Sequence, residues 1–238
     1  LRVITEWSGP PLASHLATRG DRWQLDEFAI HRSAYQLKEA DGHTWGIPRL
    51  DGEAKANVVA IQHDEYGAGD VRTAHATLFA EAMAELGLDP GYGHHIDHLP
   101  GTTLATDNLL SLFGLHGRLR GALVGHLALF EMTSTAPMSA YLQAARRLGE
   151  LPSLARFYEV HVHADAEHGQ LALDHVVAPF VAAEPDLEAD VIFGAAALSR
   201  VESRFARALL GAWGSGRTSL WLPDHGGSTA SLIAAVPA

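Results

Sequence analysis

The sequence contains no cysteine. That excludes disulfides, zinc ribbons, a thiol nucleophile and iron–sulfur clusters. It has no apolar run of the ~18 residues that a membrane-spanning helix requires. Its N-terminal stretch lacks the basic-then-apolar pattern of a secretory signal, and a cytoplasmic location is the expectation. The first residue is not methionine, so a few residues are expected to be missing or trimmed. Positive charge is scarce: 17 Lys and Arg stand against 28 Asp and Glu, for a formal net charge of −11. The basic residues are scattered, apart from pairs such as Arg146–Arg147. Nucleic acid and anionic membranes are therefore poor candidates as partners. Internal repeats, low-complexity segments and a credible set of alternating strands are also missing.

What the chain has in quantity is histidine. There are 15 in 238 residues, dispersed rather than gathered into a purification tag. Hydrophobic residues make up 47%, enough to fill the core of one globular domain. Helical periodicity dominates over 23–40, 53–66, 71–87, 102–135, 137–149, 152–181 and 186–213. Asp70 is placed to cap the third segment. Gly114 and Gly117 are points where the fourth can break. Pro137 and Pro152 suit first helical turns. The tail from about Gly214 is rich in Gly and Ser and is expected to be loosely held. The fold class expected is an all-α bundle of about seven helices.

The densest histidine stretch is EVHVHADAEHGQ, residues 159–170. As a strand running into a loop, His161, His163, Asp165 and His168 resemble the H-x-H-x-D-H string of metallo-hydrolases. As a helix, a different set lines up. At about 100° per residue, Leu154, Tyr158, His161, Asp165, His168, Ala172 and His175 fall on one stripe, and His163 points elsewhere. The hydrolase pattern needs His163 on the metal and a histidine directly after the aspartate, where Ala166 and Glu167 intervene. The period is also wrong for its strand. Two imidazoles and a carboxylate aimed at one point suit iron, manganese or zinc. The alternative is a solvated polar face, which Leu154, Tyr158 and Ala172 on the same stripe argue against.

A metal site in a helical bundle draws ligands from several helices. Glu131 sits in GALVGHLALFEMTS and shares its face with Val124, Leu127 and Ala128. A buried lone carboxylate is costly and needs a partner. A metal cation would serve, and so would helix ends or Thr135. Glu65 closes the helix NVVAIQHDEYG. His75 lies among Ala74, Leu78 and Phe79, where a satisfied core histidine is the ordinary reading. Glu39 follows Tyr35 and His31 at helical spacing, with a solvated helix end beside Lys38 as the alternative.

Taken together, Glu39, then Glu65-x9-His75, then Glu131, then His161-x3-Asp165-x2-His168 resembles the haem-oxygenase-like di-iron oxidases and oxygenases. These are often labelled iron-containing redox enzymes. The resemblance runs over roughly residues 20–212, and H-x3-D-x2-H is its most specific piece. The Glu65–His75 gap and the extra carboxylate Glu39 are similar to the N-oxygenating members. Ferritin-like di-iron proteins need Glu-x-x-His pairs on two helices, and this sequence has none.

The resemblance implies one haem-oxygenase-like domain over 1–238 that binds two Fe(II) ions and takes O2 as co-substrate. Glu65 would be the bridging or first carboxylate, with His75 and Glu131 completing one iron. His161, Asp165 and His168 would be shared around the pair, and Glu39 would sit near the second iron. It further implies N-oxygenation of an amino acid or small amine in a biosynthetic pathway. Desaturation, cyclisation or C–C cleavage at the same site remains open, as does a non-catalytic iron-binding protein. With no cysteine and no flavin motif, reductant must come from an external electron donor or from the substrate. A homodimer is possible on this reading. His31 and Tyr35 are candidates to stand behind Glu39, and Arg118 and Arg120 to meet a substrate carboxylate, although helix-end solvation suits that pair better.

Overall fold

The computed structural model describes residues 9–221. Among them there is no strand, and eight helices form a bundle. These are α1 Leu12–Thr18, α2 Arg22–Gln36, α3 Gly52–Glu65, α4 His75–Glu85, α5 Gly101–Leu115, α6 Arg120–Leu148, α7 Pro152–Leu171 and α8 Glu188–Gly214. A one-turn helix, Asp41–Thr44, links α2 to α3. Beyond Leu171, α7 widens into a π-helical turn, Ala172–Val177, and resumes over Ala178–Ala183. No described helix is long and apolar enough to cross a membrane.

Local chemistry sets most boundaries. Asp21 and Gln24 form a capping box, the Gln24 side chain accepting from the Asp21 N–H at 3.0 Å, so α2 starts at Arg22. The first N–H groups of α7 find a carboxylate on another helix. Ser153 and Leu154 each donate to Glu85 at 3.0 Å, which ties the end of α4 to the start of α7.

Three expectations are corrected and one helix is added. Of the two expected break points in segment 102–135, Gly117 lies in the observed break at 116–119, whereas Gly114 stays inside α5. Pro137 does not start a helix but lies inside α6, which runs unbroken for 29 residues. Packing along α7 and α8 carries the helix past the missing N–H. Asp70 does not cap α4; it accepts from Thr73 and Ala74 in a turn, and the helix begins at His75. A helix that periodicity does not reveal, α1, has only seven residues. It is held by burial of Leu12 and Leu16 and by Arg147, which donates to the Leu16 and Ala17 carbonyls at 2.8 and 2.9 Å.

The start of the Gly/Ser-rich tail is tied down rather than loose. Ser219 donates to Glu27 through its N–H and its hydroxyl, at 2.9 and 2.6 Å, and the Trp221 N–H reaches the His98 carbonyl at 2.8 Å. The rest of the expected tail lies outside the described residues.

Two apolar cores divide the interior. One gathers Leu78, Phe79, Met138, Tyr141, Leu154 and Phe157. The other gathers Val58, Ile61, Val124, Leu127, Ala172 and Val176. Two helices, α6 and α7, cross the boundary between them, α3 ends at it and α4 begins at it, and each carries polar residues at that level. On α6, Glu131 lies between Leu127 and Met138; on antiparallel α7, His161, Asp165 and His168 lie between Phe157 and Ala172. Glu65 follows Ile61 on α3, and His75 precedes Leu78 on α4. The result is a polar layer sandwiched by carbon.

Candidate metal centre

The turn between α3 and α4 brings the first two residues of the layer together. Gly67, Ala68 and Gly69 have φ of 70°, 53° and 87°. At Gly67 an added Cβ would lie 2.4 Å from the Ala74 nitrogen, so only glycine fits this reversal. It returns the chain so that His75 Nδ1 comes within 2.6 Å of Glu65 Oε2. A second close approach seats α7 on α6. A Cβ at Gly169 would meet the Glu131 carbonyl oxygen at 3.1 Å and the Met132 Cα at 3.3 Å.

Potential ligand atoms fall into two groups. Glu39, Glu65, His75 and His161 form one; Glu65, Glu131 and His168 form the other; within each, the atoms lie within 4.8 Å of one another. Glu65 belongs to both. All six residues are buried, between 2% and 8% exposed. Glu39, which sequence left open as a solvated helix end, is buried, just beyond the end of α2. Asp165 falls outside both groups but lines the same small cavity of about 10 Å³, with Tyr35, Gln62 and Glu65.

The second nitrogen of each α7 histidine is anchored. His161 donates from Nδ1 to the Phe157 carbonyl at 2.8 Å, which turns Nε2 toward Glu39 Oε2 at 3.2 Å. His168 places Nε2 3.2 Å from Asp64 Oδ2, leaving Nδ1 3.5 Å from Glu131 and 3.7 Å from Glu65. With its amide nitrogen turned inward, Gln36 donates to both Glu39 oxygens, at 2.7 and 2.9 Å. Sequence reading missed Asp64 and Gln36. Their signal was there: Asp64 adjoins Glu65, and Gln36 lies three residues before Glu39.

The charge balance of the layer is unusual. Burial disfavours the imidazolium of His161, yet Glu39, Glu65 and Asp165 raise it to about 10. His168 is raised to about 9, against burial, by Glu131, Asp64 and Glu65. Burial pushes Glu131 up to about 7, with Glu65 and Asp165 adding to it and His168 opposing. Asp165 rises to about 6, chiefly by burial. Burial also works against Glu65, but His75, His161 and His168 hold its carboxyl below the usual range. Without a metal, protons supply the positive charge that this carboxylate-rich layer demands.

A metal fits these residues on independent grounds. Glu65 Oε2, His75 Nδ1, Asp165 Oδ2 and His168 Nδ1 are buried and make no aligned hydrogen bond, and the 2.6 Å His75–Glu65 approach is not one. Buried polar atoms are seldom left unpaired. Four such atoms in one layer match what bound cations would satisfy. The donors are carboxylate oxygens and imidazole nitrogens, a set suited to Fe(II).

Other residues considered from sequence lie elsewhere. His163 is exposed, so the helical phase holds and the hydrolase string is not assembled. His31 is not behind Glu39; it contacts Thr103 and Ser219 hydroxyls at 2.8 and 2.9 Å. Tyr35 does border the small cavity, its hydroxyl kept protonated by burial and by Glu39, Glu65 and Glu131. Arg120 is engaged by Glu184, and Arg118 is exposed.

A single bundle with a buried carboxylate–histidine layer defines a helical metalloprotein of the haem-oxygenase-like kind. The family of iron-containing redox enzymes matches residues 26–203, and the chain belongs to it. It is an oxidoreductase family, whose substrates are small molecules. Over 158 residues the chain is 27% identical to a nitrosourea synthase of Streptomyces achromogenes subsp. streptozoticus, covering 63% of this chain. The chain spans 32% of that relative's length. Its fold is similar to a CADD-like protein of unknown function from Nostoc punctiforme PCC 73102. One crystal structure of that protein gives a TM-score of 0.69 at 13% identity, over 88% of this chain and 95% of the other. A second gives 0.67 at 12% identity, over 91% and 95%.

Proposed function

We propose that the chain binds two Fe(II) ions and uses O2 to oxidise an amine or an amino-acid-derived molecule, with N-oxygenation in a biosynthetic pathway as the favoured reaction. The observation that carries the two-ion reading is Glu65, one carboxylate common to both ligand groups. Six of the seven proposed ligands, Glu39, Glu65, His75, Glu131, His161 and His168, lie in those groups, and Asp165 borders them. The partial similarity to nitrosourea synthase supports N-oxygenation, as does the Glu65-x9-His75 spacing.

A bound iron pair would supply the electrons and the Lewis acidity that O2 activation needs. The chain's own residues do the remaining work. The Phe157 carbonyl and Asp64 fix which nitrogen of His161 and of His168 faces inward. Gln36 holds Glu39 in place. Phe79, Phe130 and Phe157 keep bulk water from the layer. Electrons beyond those stored on the metal come from an external donor or from the substrate.

The test is anaerobic titration of the metal-free chain with Fe(II), followed by admission of O2 with amines and amino acids. About two equivalents bound, O2 uptake and a product heavier by oxygen are expected. Under one equivalent with no O2 uptake sinks the enzyme reading. Iron bound without O2 uptake leaves an iron-binding protein. A product lighter by two hydrogens, or a carbon fragment, replaces N-oxygenation with desaturation or C–C cleavage.

A further inference from the structure

A second, far larger cavity opens beside the polar layer. It measures about 480 Å³, in the range of sites for small organic molecules. Its wall is mostly carbon, from Phe28, Phe79, Leu129, Tyr141, Phe157 and Leu198. One end abuts the metal centre. The Phe157 and His161 rings are 4.3 Å apart, and Phe130 borders both cavities. Gln36 lines the large cavity and holds Glu39.

One ion pair stands in this apolar wall. Arg32 donates from Nη1 and Nη2 to the two Glu202 oxygens, at 3.0 and 2.7 Å. The guanidinium lies over Phe205 and Phe28, 4.5 and 5.4 Å from the ring centroids. Both charged side chains line the cavity and keep 18% and 30% of their surface open. Arg32 precedes Gln36 by one helical turn, so the pair sits about 6 Å along α2 from the residue that touches Glu39.

An ion pair set in an apolar wall complements a zwitterion. The guanidinium has five N–H donors and Glu202 occupies two, leaving a fork for a carboxylate. Glu202 accepts the ammonium. A lone carboxylate would meet Glu202 as a like charge, and a lone ammonium would meet Arg32 in the same way. We propose that the large cavity binds an α-amino acid with a large apolar side chain. Its head lies on Arg32 and Glu202, and its side chain runs along Phe79 and Phe157 to the metal centre. The α-amine is then held away from the ligand layer, and the atom that reacts belongs to the side chain. This orientation rests on the reading of the polar layer as an oxidation site for what becomes of the molecule, and not for its binding.

The test is calorimetric binding to the metal-free full chain. L-phenylalanine and L-tryptophan are compared with skeletons lacking one charge, 3-phenylpropionate and phenethylamine. The amino acids should bind at least about tenfold tighter than either single-charge compound. Glu202→Gln, which keeps the shape, should weaken the amino acids by about tenfold and spare 3-phenylpropionate. Arg32→Gln should weaken the amino acids and spare phenethylamine. Equal binding of all compounds, no saturable binding of either amino acid, or unchanged affinity in Glu202→Gln would overturn the assignment. If Arg32→Gln loses helicity, Glu202→Gln alone decides. Iron loading and O2 uptake without amino-acid binding sinks this site alone. Amino-acid binding without iron uptake sinks the oxidation reading alone.

Discussion

Two sets of histidines are buried to the same depth in this bundle. His31, His43 and His126 are 1–3% exposed; His75, His161 and His168 are 2–3% exposed. Their surroundings differ. In the first set the partners are hydroxyls of Thr103 and Ser219, and a second imidazole, His43 Nε2 to His126 Nδ1 at 3.0 Å. Burial takes His31 down to about 3 and His126 to about 4, and lowers His43 well below its usual value. In the second set the neighbours are carboxylates, which overcome burial and take His161 to about 10 and His168 to about 9. Depth therefore does not mark a cation site. The sets differ in the number of carboxylates within reach of the imidazole.

Removing the shared carboxylate breaks the comparison most severely. Glu65→Ala should cut bound Fe(II) from about two equivalents to below about half of one, whereas His126→Phe should leave iron content unchanged. Metal analysis of both, with circular dichroism to check helicity, decides whether only the carboxylate-rich set holds iron.

Acid and base should pull the two sets apart in the metal-free protein. The neutral set has folded values below the unfolded ~6.5, so the unfolded chain takes up protons that the fold excludes. Stability then falls as pH drops below 6.5, by about 1.4 kcal/mol per pH unit for each histidine. The ionised pair has folded values above 6.5. Its stabilisation is complete below ~6.5 and is lost as pH rises through about 9 and 10. Urea unfolding between about pH 5 and pH 9 should show a maximum near pH 6.5. A steady rise in stability across that span would show that the sets do not differ as described.

Smaller effects sharpen the picture. Asp64→Asn leaves every proposed ligand in place but removes the charge behind His168, and Fe(II) affinity should fall about tenfold by competition titration. His163→Ala and Glu167→Ala alter exposed side chains on the same helix as His161. Iron content and affinity should not change in either; a loss would mean that the outer face of α7 contributes ligands.

Much of this was legible in the sequence, and the reasons differ by element. Seven helical segments showed as periodicity because their apolar stripes face a core. The short α1 did not, since seven residues hold too few turns for a stripe and its stability comes from Arg147 on another helix. Pro137 misled because a local rule met a helix braced along two neighbours. At the candidate site, helical phase separated His163 from His161, Asp165 and His168. Spacing did not reveal that Asp165 stands outside both ligand groups. Nor did it reveal Arg32 and Glu202, 170 residues apart in sequence, as the ion pair of a mostly apolar wall.

The polar layer lies between two apolar cores. In the metal-free chain it holds four buried polar atoms without a hydrogen-bond partner, Glu65 Oε2, His75 Nδ1, Asp165 Oδ2 and His168 Nδ1. Each ion bound there, on the function proposed above, would tie the helices of the layer together. At free iron one hundred times its dissociation constant, a site adds about 2.7 kcal/mol to the resistance of the fold. On that proposed function, the resistance of the fold to proteolysis would therefore rise with the iron it binds.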